Sequence, residues 1–189
     1  MKILIEVSAR HVHLSQRDFE MLFGKGAILH IKKELSQPGQ FVCSEKVDIV
    51  GLKDVIKNVT VLSPIREKTQ VEISITDARK LGISAPIRES GDLSNTPGCT
   101  LVGKSGKVFL KEGIIVAKRH IHLDKISAEK FGLTDKQKVK VRVFSEQRAL
   151  IFDDVVIQVS ENFLPAMHID TDEANAAGIS NSTYGEIII

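Results

Sequence analysis

A set of side chains in this sequence could hold metal ions: His11, His13, Glu72, His120, His122 and His168. Of the chain's 6 histidines, most fall in two near-identical pentapeptides, Arg-His-Val-His-Leu at 10–14 and Arg-His-Ile-His-Leu at 119–123. Neutral imidazole is the commonest metal ligand, and residues two apart in extended backbone face the same side. Each His-x-His therefore offers two nitrogens to one ion. A second internal match supplies the other candidates. Val71–Ile83 lies without gaps on Met167–Ile179, pairing Ile73 with Ile169, Ala78 with Ala174, Gly82 with Gly178 and Ile83 with Ile179. In that register Glu72 falls on His168. Zinc takes His nitrogen and carboxylate oxygen, is four-coordinate in closed sites and keeps an open position in catalytic ones. Six ligands divided between two ions leave at least one ion unsaturated, able to polarise a carbonyl or hold an anionic nucleophile. Cys43 and Cys99 are isolated, so thiolate zinc sites are not indicated.

Arginines accompany these residues. Arg10 and Arg119 precede the histidine pairs, and Arg66 stands in the segment that leads to Glu72. A guanidinium is permanently charged and its fork suits phosphate. Extended backbone from Arg66 to Glu72 would put both on one face, an anion clamp beside a metal. Lys32, Lys33, Lys118 and Arg79 could extend a positive rim. His30 lies in an alternating stretch and reads as an ordinary surface or core histidine. Gly103-Lys104-Ser105-Gly106-Lys107 is a turn and lacks the spacing of a phosphate-binding P-loop.

Strands must carry these groups. Short β-branched runs at 3–7, 27–31, 55–62, 71–75, 113–117, 139–144, 155–159 and 186–189, punctuated by turn residues, predict a mostly β protein. Brief helices are predicted from Ser15 to Gly24 and from Asp124 to Gly132, each with a polar cap and a glycine stop. A matched pair follows at 76–82 and 171–178. Residues 86–113 read as loop broken by short strands, and Ser36–Gln40 as a strong turn. Many short strands with small helical caps suggest compact barrels, and the duplication suggests two of them.

The chain of 189 residues has a formal net charge of +2 with interleaved signs, which gives no reason to expect nucleic acid or an anionic membrane as partner. No apolar run approaches the roughly 18 residues of a membrane span. Glu6 interrupts the first apolar run too early for a signal peptide. A cytoplasmic protein is expected, whose first residues already form a strand.

The segments Val-Ser-Ala-Arg-His-Val-His-Leu-Ser, Leu-Ser-Gln-Pro-Gly-Gln-Phe, Arg-Glu-Lys-Thr-Gln-Val-Glu-Ile-Ser-Ile-Thr-Asp-Ala, Gly-Ile-Ile-Val-Ala-Lys-Arg-His-Ile-His-Leu and Met-His-Ile-Asp-Thr-Asp-Glu-Ala-Asn-Ala-Ala-Gly together resemble the PduL-type phosphotransacylases, the phosphate propanoyltransferases. The likeness covers nearly the whole chain. It implies two similar small β-barrels capped by short helices, with a di-zinc site between them. The domains implied are 1–9 with 118–189, and 10–117. It implies interconversion of a short-chain acyl-CoA (acetyl or propanoyl) plus phosphate with acyl phosphate plus CoA. By the same resemblance one zinc is held by Glu72, His120, His122 and His168, and the other by His11 and His13 with an open position. Arg66 matches the phosphate-binding arginine, and Ser8, Lys33, Leu62 and Asn175 match positions that contact CoA. The resemblance implies a zinc-bound CoA thiolate, with Arg66 holding phosphate. The reading admits a homo-oligomer. The amphipathic N-terminal extension that directs some relatives into microcompartments is missing, which makes cytosolic acetyl-CoA conversion as reasonable an expectation as propanediol metabolism. Two other classes use the same residues: a binuclear zinc hydrolase, and a non-catalytic binding module stapled by zinc.

Overall fold

The computed structural model describes residues 1–180 and 182–189. In chain order the elements are β1 (Lys2–Val7), β2 (His11–Ser15), α1 (Gln16–Phe23), β3 (Ile31–Glu34), β4 (Phe41–Val50), β5 (Val55–Arg66) and β6 (Gln70–Glu72). Then come α2 (Ile75–Leu81), β7 (Ile87–Arg88), β8 (Thr100–Val102), β9 (Lys107–Phe109), β10 (Ile114–Ala117) and β11 (His120–Leu123). The last are α3 (Lys125–Phe131), β12 (Lys138–Val143), β13 (Leu150–Val159), β14 (Ala166–Ile169), α4 (Thr171–Ala177) and β15 (Ser182–Ile188). The protein is mostly β, and the chain divides into two compact units, residues 1–9 with 118–189 and residues 10–117.

The first unit is a closed barrel of strand order β1-β14-β11-β13-β12-β15, with β15 returning to pair antiparallel with β1. Its strands alternate as half-buried strands should. In β12 the run Lys-Val-Lys-Val-Arg-Val places each valine inside and each cation outside. Ile3, Ile5, Ile121, Leu123, Val141, Ile157, Met167 and Ile187 fill the interior.

The second unit is a 9-stranded curled sheet, β7-β10-β6-β2-β5-β4-β8-β9 with β3 also paired to β4. The two small barrels expected are a closed one in the first unit and a curled half-barrel in the second. β3 and β8 pair antiparallel with β4, and β9 with β8, which lengthens the sheet at that side. Val12, Leu14, Leu22, Ile49, Val61, Leu81 and Leu101 form its core.

The helices follow their sequence signals. Ser15 and Ser74 accept from the backbone N–H of Asp18 and Asp77, and Asp124 from that of Ser127. Asp170 and Glu173 form a reciprocal capping box at α4. Gly82, Gly132 and Gly178 end α2, α3 and α4 in left-handed conformations, which a Cβ disfavours. The predicted strand at 71–75 is shorter, because the Ser74 cap turns the chain into α2. The predicted strand at 27–31 starts only at Ile31. His30 N–H is taken by the Glu45 carboxylate at 3.1 Å, so His30 lies ahead of the ladder.

The His-x-His strands have the same neighbours in both units. β2 runs antiparallel to β6 and parallel to β5. β11 runs antiparallel to β14 and parallel to β13. Val12 and Leu14, like Ile121 and Leu123, are fully buried on the core face, and the histidines take the other face. Leu14→Ala or Leu123→Ala should each lower stability by about 2–5 kcal/mol through the cavity left under a ligand strand. Urea unfolding followed by circular dichroism measures this, and a loss under about 1 kcal/mol would contradict the packing described.

Candidate functional site

Register decides which ligands meet. In the second unit His11 lies opposite Glu72 across the β2–β6 pair, and His13 lies opposite Gln70. In the first unit His120 lies opposite His168 across β11–β14, and His122 opposite Ala166. The gapless match seen in the sequence is thus a match of strand pairing. Two clusters result, His11 with His13 and Glu72, and His120 with His122 and His168, each with its potential ligand atoms within 4.8 Å of one another. The resemblance allots Glu72 to the ion of the other three histidines; within its own unit its Oε2 stands 3.4 Å from His11 Nε2, and its Oε1 4.0 Å from His13 Nε2.

Two of the imidazoles are held in the neutral form that could bind a metal. Burial, then the neighbouring His11 and Arg66 charges, lower the His13 pKa to about 3 against a partial offset from Glu72. Burial and His120 lower His122 to about 4, against a hydrogen bond with the Gln158 side chain. Both are therefore neutral with a lone pair available. His13 Nδ1 and His122 Nδ1 are buried and meet no hydrogen-bond partner among the described residues, an unusual state for a polar atom unless something else occupies it. His120 Nδ1 lies 2.8 Å from the Lys118 carbonyl. A carbonyl only accepts, so Nδ1 carries the proton and Nε2 is left as the ligand nitrogen. Burial raises the Glu72 pKa, yet His11, His13 and Arg66 more than offset this and hold the carboxyl ionised, well below its usual range. Nitrogen and carboxylate donors without thiolate fit zinc. Burial pushes the Cys99 thiol up to about 12, which leaves it inert.

The arginines separate by role. Arg10 Nε donates to Asp77 Oδ2 on α2 at 2.8 Å, and Arg119 Nη1 to Glu173 Oε1 on α4 at 2.8 Å. Asp77 and Glu173 are equivalent in the duplication, so each pentapeptide arginine ties its ligand strand to the helix of its own unit. Arg66 behaves otherwise. The extended run expected from Arg66 to Glu72 is broken, since β5 ends at Arg66, the chain bends, and β6 lies on the far side of β2. Arg66 still acts electrostatically on both Glu72 and His13, and its Nη1 donates to Ser90 Oγ at 3.1 Å. The two ends of the segment meet because it turns around β2.

Of the other residues singled out in the sequence, Leu62 is buried on β5 opposite His13. Lys33 is exposed on β3. In the first unit Ser8 N–H donates to the Ile169 carbonyl just ahead of α4, and Asn175 is exposed on α4. Further residues belong to the clusters and escaped sequence reasoning. Glu6 Oε2 lies 3.8 Å from His168 Nδ1, and the Phe163 ring stacks on His122 at 3.9 Å. Gln70 and Ser90 bind Glu72 Oε1. Glu6 had a signal as the one acidic residue of the largely apolar first strand, and Gln70 shares a strand face with Glu72. Ser90 and Phe163 had none.

A family model described as phosphate propanoyltransferase matches residues 4–180. The chain belongs to the phosphate propanoyltransferase family. It is accordingly an acyltransferase. Among curated family members it is similar to a phosphate propanoyltransferase of Thermotoga maritima, 55% identical over 98% of this chain and 89% of that one. Others are those of Clostridioides difficile, 53% identical over 98% and 88% of the two chains, and Listeria monocytogenes, 52% identical over 97% and 86%. Both duplicated histidine motifs, the 66–72 segment and the His168 strand all lie inside the span that matches the family model.

The buried histidines set a pH dependence. Unfolded histidine takes a proton near pH 6.5, whereas folded His13 and His122 stay neutral to about 3 and about 4. Between those values the unfolded chain binds more protons, so metal-free protein should lose stability as pH falls from about 6.5 towards 4, by a few kcal/mol in all. Chelator-treated protein unfolded in urea at stepped pH checks this. A flat profile over that window would mean that the imidazoles are not desolvated as described.

Proposed function

We propose that this acyltransferase interconverts a short-chain acyl-CoA, acetyl or propanoyl, and phosphate with the acyl phosphate and free CoA. The relatives' shared name points to phosphate and a propanoyl group. The observation that carries the reading to this chain is that one hydroxyl, Ser90 Oγ, lies 3.1 Å from Arg66 Nη1 and 3.2 Å from Glu72 Oε1, which sets a guanidinium beside the His11, His13 and Glu72 cluster.

His11 and His13 would hold one zinc, with Glu72 beside them, and His120, His122 and His168 would hold the other. Bound zinc would supply Lewis acidity and favour a CoA thiol as its thiolate at neutral pH. Arg66 binds the phosphate oxygens through its guanidinium fork. In the direction of acyl phosphate, a phosphate oxygen held by Arg66 attacks the thioester carbonyl, the new C–O bond forms and the C–S bond breaks. The proton released by hydrogen phosphate balances the one that free CoA takes up. In reverse, Arg66 steadies the phosphate as it departs. Holding both reactants together supplies proximity, and a fixed cation beside the carbonyl stabilises charge gathering in the transition state. Ser8, Lys33, Leu62 and Asn175 are assigned to CoA contact. The two unpaired, buried cysteines fit a reducing cytoplasm.

The test is release of CoA from acetyl-CoA or propanoyl-CoA with phosphate, alongside zinc content. Wild type should carry about two zinc per chain and form acyl phosphate. Arg66→Ala should keep its zinc and lose about 10²–10³-fold in turnover, the usual cost of removing a transition-state charge partner. Thioester or phosphoester hydrolysis without acyl phosphate would favour a zinc hydrolase. Full zinc with no turnover of either kind would favour a binding module.

A further inference from the structure

The strand ahead of each histidine pair belongs to the other unit. β1 leads to His11 yet lies in the first unit, parallel to β14, and β10 leads to His120 yet lies in the second, parallel to β6. Glu6 and Ile115 stand the same number of residues ahead of His11 and His120. Register sets Glu6 beside His168 and Ile115 beside Glu72. The divergence is reciprocal. Where the cluster has a carboxylate of its own, Glu72, the exchanged strand brings isoleucine. Where the cluster has only imidazoles, the exchanged strand brings glutamate.

The strand holds Glu6 in place. Ile3 and Ile5 face the barrel interior, so alternation turns Glu6 to the outer face that carries His120, His122 and His168. Ile5 pairs with Met167, both fully buried, and Ser8 N–H donates to the Ile169 carbonyl at 2.8 Å. The register is thus fixed on both sides of the Glu6–His168 pair. Glu6 Oε2 lies 3.8 Å from His168 Nδ1. A carboxylate only accepts, and it favours the tautomer with the proton on Nδ1 and the lone pair on Nε2. His120 is set the same way by the Lys118 carbonyl at its own Nδ1. The Glu6 separation is that of an ion pair, longer than a hydrogen bond, so the carboxylate acts on the ring through its charge.

We propose that Glu6 is a positioning residue of the first unit's metal centre, whose carboxylate keeps His168 protonated at Nδ1 and directs Nε2 to the ion. A carboxylate behind a ligating histidine also makes that histidine the more basic ligand. Glu6 thereby gives a cluster of three imidazoles the negative charge that Glu72 gives the other cluster. The inference rests on the reading of His120, His122 and His168 as metal ligands.

The experiment titrates zinc from the full chain of wild type, Glu6→Gln and Glu6→Ala with a competing chelator, without substrate. Two zinc affinities are expected per chain. Glu6→Ala should weaken one of them about tenfold or more, the usual result of removing a support behind a ligating histidine. Glu6→Gln keeps an acceptor oxygen without the charge and should fall between. Metal-free variants should unfold at the wild-type urea midpoint, because Glu6 faces away from the core. A lowered midpoint with unchanged zinc affinity would mark a merely structural residue and overturn the proposal. Long-range proton–nitrogen correlation spectra of zinc-loaded wild type, with the His168 signals identified by their loss in His168→Gln, give a second readout. His168 should be ligated through Nε2 and carry its proton on Nδ1. Ligation through Nδ1, or equal zinc affinities in all three proteins, overturns the proposal and leaves the metal reading standing. Wild type that binds no zinc overturns the metal reading itself, and the role of Glu6 with it.

Discussion

The ligand clusters exist in one strand register only. Side chains alternate along a strand, so sliding β6 by one residue against β2 would turn Glu72 to the core and Val71 to the histidines. The core prevents the slip. Val12, Leu14 and Val71 are fully buried together, as are Ile121, Leu123 and Met167 around β11 and β14. A displaced register would expose these aliphatic groups and bury histidine and carboxylate among them, at several kcal/mol for each misplaced side chain. Hydrophobic pairing thus fixes the position of the polar chemistry without any contribution from the ligands themselves. The arginine preceding each histidine pair adds a second restraint, tying each ligand strand to the helix that follows its antiparallel neighbour.

Duplication supplied two copies of this frame, and divergence between the copies supplied different surroundings. Glu72 and His168 are equivalent, as are Gln70 and Ala166, and Leu62 and Gln158. The first unit surrounds its histidines with neutral partners, an amide from Gln158 and an aromatic ring from Phe163, and with the Glu6 carboxylate. The second gathers a buried carboxylate, its amide and hydroxyl donors, and a guanidinium. An imidazole cluster and a charged cluster on one backbone plan suit different tasks.

Much of this was legible in the sequence because it depends on short-range rules. The His-x-His spacing, the gapless match that pairs Glu72 with His168, the Ser15 and Asp124 caps and the glycine stops are each decided within a few residues. What was not legible depends on returning chain. Arg66 nears Glu72 by a bend around the end of β2, not by strand periodicity, so the expected proximity came about by another route. Ser90 arrives from a turn that has no local link to β6. The longer sheet of the second unit contains β3, β8 and β9, whose partners on β4 and β8 could not be named from composition. His30 was expected in a strand because its neighbours alternate, and a tertiary hydrogen bond to Glu45 overrides that pattern.

The charged cluster has an internal logic that explains its composition. A buried carboxylate repels phosphate, and a buried guanidinium is costly to desolvate. Placed together they remedy each other. Burial lowers the Arg66 pKa and Glu72 opposes that change, while Arg66 helps hold Glu72 ionised. The pair therefore keeps both charges in a site that would otherwise disfavour each. A dianion approaching Glu72 alone would meet net repulsion. Approaching through Arg66, it meets a cation whose opposite partner is already satisfied at Oε1 by Gln70 and Ser90, which leaves the guanidinium less neutralised than in a direct ion pair. Polar uncharged groups, Ser90 and Gln70, thus stand between the guanidinium and the carboxylate and let the two charges lie close together without a direct ion pair.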